Sequence, residues 1–115
     1  MLAVVGGRDF KDYDLMKQVL DEMKPSKIIS GGMRGADILA EKYAIENDID
    51  NLIYRPNDWA DYNKMSGYER NVFIMHEATC VVAFWDGKSS GTKHCIELAL
   101  KAKKKLTVIN YNISF

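Results

Sequence analysis

Short apolar segments alternate with longer amphipathic segments along the whole chain. The amphipathic segments place apolar residues three and four positions apart, which is the spacing of one face of an α-helix. In residues 12–23, for example, Leu15, Val19, Leu20 and Met23 follow this spacing. The pattern predicts helices over residues 12–23, 36–47, 65–77 and 92–103.

The apolar segments between these helices are short, and most of them end at glycine, proline or polar residues. Continuous apolar runs of this kind are typical of strands that are buried on both faces of a parallel sheet. Strands that alternate with helices form a doubly wound sheet with right-handed crossovers. We predict a three-layer, Rossmann-like α/β fold with five parallel strands, in the common order 3-2-1-4-5. The predicted strands are residues 2–5, 27–30, 51–55, 79–84 and 106–110.

Composition is typical of an ordinary globular protein. The 115 residues are 47% hydrophobic and 28% charged, which provides enough apolar material for one core. Because 16 Lys and Arg balance 16 Asp and Glu, the basic surface typical of nucleic-acid binding is not expected. No apolar run has the length of a membrane span, and the first residues lack the features of a signal peptide. We predict a single cytoplasmic domain over residues 1–115, without a membrane or nucleic-acid partner.

The two cysteines, Cys80 and Cys95, form no Cys-x-x-Cys pair, and no pair of histidines stands at metal-ligand spacing. We interpret both cysteines as small apolar side chains of the core. His76 and His94 are isolated in the sequence and are interpreted as structural residues. We therefore expect no metal site and no other cofactor.

Three glycine-rich segments follow predicted strands 1, 2 and 4, so all three should lie at one edge of the sheet. Glycine lets backbone amides approach a phosphate, and helix N-termini attract anions. On this reasoning a side chain at Gly35 would occupy space meant for phosphate. The alternative is that the glycines only form tight turns, since no standard phosphate-binding motif is present. The residues assigned to the anion site are Gly6, Gly7, Gly31, Gly32, Gly35, Gly87, Ser89, Ser90, Gly91 and Thr92.

Charged and aromatic residues near these loops could complete a nucleotide site. Arg8 and Arg34 could each bind phosphate oxygens through two N–H groups, or could be solvated loop residues. Asp37, or with less support Asp9, could accept a hydrogen bond from a ribose hydroxyl. An acid at position 37 would equally complement the positive end of a helix. Trp59 lies in a polar stretch and could cover a base or simply anchor its loop.

Six segments of the chain resemble a known family, the YspA-like family of SLOG domains, in order and spacing. SLOG domains are similar to the LOG, or lysine decarboxylase-like, phosphoribohydrolases and to the Rossmann-like domain of DprA. The resemblance covers nearly the whole chain and implies a fold that binds nucleotides or nucleotide-derived signals such as ADP-ribose derivatives. The segments are VVGGRDF (4–10), IISGGMRGAD (28–37), AEKYA (40–44), RPNDW (55–59), GYERN (67–71) and AFWDGKSSGT (83–92).

Comparison with the LOG enzymes gives two opposite indications about catalysis. The segment SGYERN resembles S-M-H-E-R-K of LOG enzymes, which implies that Arg70 is the catalytic arginine of any activity. Arg70 and Asn71 are both expected to contact the ligand. The segment SSGTKHC resembles P-G-G-x-G-T-x-x-E and keeps its Gly-Thr phosphate grip, but Cys95 stands where LOG enzymes have a catalytic glutamate. Glu97 lies about 200° further round the helix and cannot simply replace that glutamate. Asp86 is the carboxylate beside this loop and a further candidate for chemistry.

These observations predict a protein that binds a phosphorylated nucleotide or a nucleotide-derived signal, as a sensor or a sequestering protein. The alternative is a hydrolase that cleaves the N-glycosidic bond of nucleoside phosphates or ADP-ribose-type compounds. A nucleic-acid module, by analogy with DprA, is a third possibility that the neutral net charge disfavours. Enzymatic activity therefore stays open at this stage.

One helix suggests a protein partner. Residues 72–75, Val-Phe-Ile-Met, are four consecutive apolar residues, which surround a helix at 100° per residue. A helix on a protein surface normally keeps one polar face. We therefore expect a second subunit to cover this helix, in a homodimer or a higher homo-oligomer.

Overall fold

The computed structural model describes residues 1–31, 34–53 and 67–111, and for residues 53 and 67–70 it describes the backbone only. Strands and helices alternate along these residues, as the sequence pattern predicted. The strands are β1 (Leu2–Gly6), β2 (Lys27–Ser30), β3 (Asp50–Ile53), β4 (Cys80–Trp85) and β5 (Lys105–Asn110). The helices are α1 (Tyr13–Met23), α2 (Ala36–Glu46), α3 (Gly67–Glu77) and α4 (Ser90–Lys101).

The five strands form one parallel sheet in the order β3-β2-β1-β4-β5, which confirms the predicted order. The connections run outward in one direction from β1 and in the other direction from β4, so the strand order reverses between these two neighbours. Their register pairs Leu2 with Cys80 and Gly6 with Phe84, which brings their carboxyl ends side by side. Sheets of this kind bind ligands in the crevice at such a point.

Alternate residues of each strand pack into two apolar clusters, one on each face of the sheet. Val4 belongs to the cluster that contains Met16 of α1 and Ala40 of α2. Val5 belongs to the cluster that contains Ile74 of α3 and also includes residues of α4. The sheet is therefore the middle of three layers, as predicted for a doubly wound fold.

Capping side chains explain where two helices begin. The Asp12 carboxylate accepts a hydrogen bond from the Leu15 amide at 3.0 Å, so α1 starts at Tyr13. The Ser89 hydroxyl accepts from the Thr92 amide at 3.4 Å, so α4 starts at Ser90 and not at Thr92. Short polar side chains are strongly preferred at this position because they bond an amide that the helix leaves unpaired. Residues 54–55 of the predicted third strand and 65–66 of the predicted third helix lie outside the described residues.

The apolar run of α3 divides between core and surface. Ile74 and Met75 are buried, with 2% and 3% of their surface exposed. Val72 and Phe73 are about half exposed, at 50% and 47%. The core formed by the described residues therefore buries Ile74 and Met75 and leaves Val72 and Phe73 about half exposed. Within the described ranges, no helix is long and apolar enough to cross a membrane.

Phe10 should contribute strongly to stability. Its ring is 1% exposed, and its centroid lies 4.8 Å from the rings of both Phe84 and Tyr111. We expect Phe10→Ala to lower the free energy of unfolding by about 3–5 kcal/mol, because the substitution leaves a cavity in the core. Urea denaturation followed by circular dichroism measures this loss. The control is Ile45→Ala, at a side chain that is 73% exposed, which should change stability by less than about 0.5 kcal/mol. Similar losses in both variants would contradict the packing role of Phe10.

Candidate functional site

The loop after β1 joins three elements through the backbone of one glycine. The Gly7 amide donates to the Phe84 carbonyl of β4 at 3.2 Å. The Gly7 carbonyl accepts from the amides of Phe10 at 3.3 Å and of Ala36 at 3.2 Å. Because Ala36 is the first residue of α2, the loops after β1 and β2 meet at the carboxyl edge, as predicted.

The two glycines of this first loop are surrounded by protein atoms. A Cβ atom added to Gly6 would lie 2.6 Å from the Cβ of Ala36. A Cβ atom added to Gly7 would collide with the hydroxyl of Tyr111. Close packing at the ends of β1, β4 and β5 therefore requires both glycines. That these glycines also contact a ligand stays a prediction.

Gly35 precedes α2 and has a positive φ of 84°, a conformation that side chains rarely adopt. A Cβ atom on Gly35 would overlap the Gly7 carbonyl oxygen and the Arg8 backbone. The expectation that this space is meant for phosphate was therefore wrong, because the first loop fills it. Arg8 and Arg34 are both exposed on these two touching loops, so their positive charges lie at the same edge.

Other residues of the second loop are less accessible. Gly31 is buried, and Gly32 lies outside the described residues. Asp37 lies in the first turn of α2 with 8% of its surface exposed. Asp37 therefore lies where an acidic side chain complements the positive end of a helix. A contact between Asp37 and a ribose stays a prediction.

The third loop is built by hydrogen bonds between its own residues. One Asp86 carboxylate oxygen accepts from the amides of Lys88 and Ser89, both at 2.8 Å. These two bonds hold the pKa of the Asp86 carboxyl below its usual value, because they stabilise the charged form. The Trp85 indole donates to the Ser89 carbonyl at 3.1 Å. Asp86, a candidate for chemistry in the sequence, thus shapes the loop as an ionised acceptor and is poorly suited to donate a proton.

The start of α4 is open where the other two loops are closed. Apart from the adjoining backbone, no atom of the described residues lies within 4 Å of a Cβ built on Gly87 or on Gly91. The first amide to bond within the helix is that of Lys93, which donates to the Ser89 carbonyl at 3.1 Å. The amides of Ser90 and Gly91 precede it, and no acceptor among the described residues bonds them. Exposed amides at a helix N-terminus attract anions.

Asn71 connects α3 to this open turn. Its side chain is buried, with 6% exposed, and its amide nitrogen lies 3.4 Å from the Gly91 carbonyl, to which it donates. The same nitrogen lies 3.3 Å from Nδ1 of His94. Asn71 therefore positions the backbone that would contact an anion, and a direct contact with ligand stays a prediction. The side chains of Arg70 and Trp59 lie outside the described residues.

Cys95 lies in the core and not at the edge. It is 2% exposed and packs in the same cluster as Ile74 and Ala99. Cys80 packs against the opposite cluster, and the structure forms no disulfide between the two cysteines. In the described part of the chain, no group of three or more His, Cys, Asp or Glu residues could hold a metal ion.

Tyr111 is a site residue that the sequence reasoning missed. It follows β5, donates its amide to the Trp85 carbonyl at 3.0 Å and donates its hydroxyl to the Asp9 carboxylate at 3.0 Å. Burial and this hydrogen bond raise the pKa of the Tyr111 phenol above its usual range. Ser30, at the end of β2, was missed too: its hydroxyl is buried and has no hydrogen-bond partner among the described residues. Tyr111 belongs to no motif that would have indicated it, and Ser30 lies in the segment IISGGMRGAD (28–37), in which the sequence reasoning assigned it no role.

Comparisons with known proteins agree with the resemblance found in the sequence. The model of the YspA, cpYpsA-related SLOG family matches residues 1–62. The gene 61 protein of Mycobacterium phage D29 is 32% identical to this chain over 120 residues. That similarity covers 96% of this chain and 94% of the phage protein. No solved structure matches the chain.

Gly35 and Gly87 both have a φ of 84°, but an added Cβ would collide with another loop only at Gly35. Gly87→Ala should cost about 1–2 kcal/mol, since only the positive φ opposes it. We expect Gly35→Ala to cost at least about 2 kcal/mol more, because its Cβ must also displace the first loop. Urea denaturation of the two variants measures the difference. Equal losses would show that the two loops separate easily.

Proposed function

Because the chain belongs to the YspA, cpYpsA-related SLOG family, we propose that it binds a phosphorylated nucleotide or an ADP-ribose-like signal. In this role it acts as a sensor or a sequestering protein. Membership of this family supports nucleotide-related binding or LOG-like chemistry only at the level of the superfamily. The observation that carries the proposal is the open first turn of α4, where no described residue outside the adjoining backbone crowds the side-chain position of Gly91.

The surroundings of this turn suit a phosphate group. The amides of Ser90 and Gly91 and the positive end of the α4 dipole favour a negative charge. The Ser90 side chain is exposed beside these amides, and the exposed Lys88 precedes them. Asp86, Ser89 and Asn71 hold the turn in place before any ligand arrives. Donors that are already ordered lose less entropy when they bind.

The same turn favours binding over hydrolysis. Cleavage of an N-glycosidic bond needs a carboxylate or another base near the developing charge of the sugar or near the attacking water. Cys95, at the position of the LOG glutamate, is buried in the core. Glu97 is exposed further along α4, and one oxygen of Asp86 already accepts two amides. We therefore propose that the ligand is released intact.

Gly91 offers a test in which binding and stability should change in opposite directions. Nucleotide at a hundred times its dissociation constant should stabilise the wild type by about 2.7 kcal/mol, which raises Tm by about 10 °C. Gly91→Asp should abolish this increase, because the carboxylate repels phosphate. Without ligand, the same variant should be at least as stable as the wild type, since an acid suits a first turn that has none. Gly91→Asn is the neutral control of the same size and should keep most of the increase.

Thermal melts with AMP, ADP and ADP-ribose, together with chromatography of the mixtures, decide between the two functions. Intact ligand after incubation supports the binding protein. Free base that disappears in Arg70→Ala would establish the hydrolase instead. No increase in Tm with any of these compounds, or an equal increase in Gly91→Asp, would contradict the proposed site.

We also propose a homo-oligomer that buries the exposed part of α3. Phe73→Glu should convert it to monomers, because a charge in the centre of an apolar contact is left without a partner. Light scattering after gel filtration measures the mass. Ile45→Glu, at the more exposed apolar residue on α2, is the control and should leave the mass unchanged. A monomeric wild type at micromolar concentration would contradict the proposal.

A further inference from the structure

A second opening lies at the carboxyl edge, on the face of the sheet that α1 covers. It is a cavity of about 680 Å³ between the loop after β1 and the end of β5. This volume falls in the range of small-molecule sites. Phe10, Leu15 and Tyr111 contribute apolar surface to it, and Asp9 and Lys11 are among its polar residues. Neither the LOG motifs nor the glycine loops assign a role to this cavity.

We propose that this cavity, which we call the β1–β5 groove, holds the nucleoside part of the ligand. Asp9 accepts hydrogen bonds from the ribose hydroxyls, and Tyr111 is the positioning residue that orients Asp9. The inference rests on the proposed function, in which the phosphate lies at the start of α4. It adds the part of the site that distinguishes a ribonucleotide from a bare phosphate.

The contact between Tyr111 and Asp9 leaves one carboxylate oxygen for a ligand. The Tyr111 hydroxyl donates to Oδ1 of Asp9 at 3.0 Å, and no described residue donates to Oδ2. Tyr111 is only 9% exposed, and its ring packs edge-on against Phe10. The raised pKa of the phenol keeps it protonated, so it stays a donor. A carboxylate that is oriented in this way can accept from a hydroxyl, as acidic residues do for ribose in other Rossmann-like folds.

Trp85 links the groove to the start of α4. Its carbonyl accepts from the Tyr111 amide, and its indole donates to the Ser89 carbonyl. The last residue of β4 is therefore bonded both to a residue of the groove and to the residue that caps α4. This strand lies beside β1 at the point where the strand order reverses. One ligand can reach both because both lie at the carboxyl edge of adjacent strands.

Charge determines which end of the ligand enters the groove. The carboxylates of Asp9 and Asp12 and the ammonium of Lys11 line it, which leaves one net negative charge. The Asp86 carboxylate also acts on Tyr111, whose pKa it raises further. These charges repel a phosphate, whereas the start of α4 attracts it. The sugar therefore faces the groove and the phosphate faces α4.

Calorimetry with AMP, its 2′,3′-dideoxy analogue and inorganic phosphate tests the groove. The wild type should bind AMP about tenfold more tightly than the dideoxy analogue, because hydrogen bonds to a charged acceptor are lost. Asp9→Ala should remove this preference and leave the affinity for phosphate unchanged. Tyr111→Phe keeps the ring and should reduce the preference about threefold. Asp14→Ala, at an exposed acid of α1 outside the groove, should keep it.

The binding measurements test the groove and the phosphate site independently. Equal binding of AMP and the dideoxy analogue by the wild type, with both lost in Gly91→Asp, would overturn the groove and leave the proposed function intact. Phosphate affinity that falls in Asp9→Ala and not in Gly91→Asp would overturn both. Failure of all three compounds to bind at millimolar concentration would also overturn both. If Asp9→Ala does not fold, the test relies on Tyr111→Phe. An unchanged preference of this variant for AMP over the dideoxy analogue would overturn the proposed role of Tyr111 and Asp9.

Discussion

The close contact between the loop after β1 and the start of α2 determines what the carboxyl edge can do. The Gly7 carbonyl accepts two amides, one of them the first amide of α2, and Gly35 packs directly on the backbone of Gly7 and Arg8. Buried backbone groups need such partners, and the contact supplies them. Its consequence is that the amides of Gly7 and Ala36 are already used.

The third loop differs from the first two in the space around its glycines. Among the described residues, none outside the adjoining backbone crowds the side-chain position of Gly91. The turn is ordered by Asp86 and Ser89, whose side chains accept hydrogen bonds from loop amides, and by Asn71 of α3, which donates to the Gly91 carbonyl. A rigid turn with unpaired amides is suited to bind a small anion, because little motion is lost on binding. Gly6, Gly7 and Gly35 are therefore in close contact with neighbouring segments, whereas Gly91 has more space around it.

The architecture was predictable because its signals are local. Helical spacing and apolar runs identify the elements, and the handedness of crossovers limits how they assemble. The edge that carries the loops followed from the same argument. The role of Gly35 did not, because the atoms that fill its side-chain space belong to Gly7 and Arg8, on another loop. Tyr111 meets Asp9 across 102 positions of sequence, and nothing in the short segment after β5 indicates that contact. Contacts between loops decide the site, and a local pattern carries no information about them.

On α4, the position proposed to bind phosphate and the position that corresponds to the LOG glutamate have different surroundings. Cys95 lies one turn after Gly91 and close to the same side of α4, since four residues advance a helix by about 400°. Gly91 at the end of the helix is open, whereas Cys95 is already covered by the core that contains Ala99. A glutamate at this position would direct a carboxylate toward the phosphate turn or bury an unpaired charge. A cysteine fills the same volume as a small apolar group, so it supports the core without adding a base. In the proposed site, the turn would thus bind an anion through its backbone while Cys95 packs in the core.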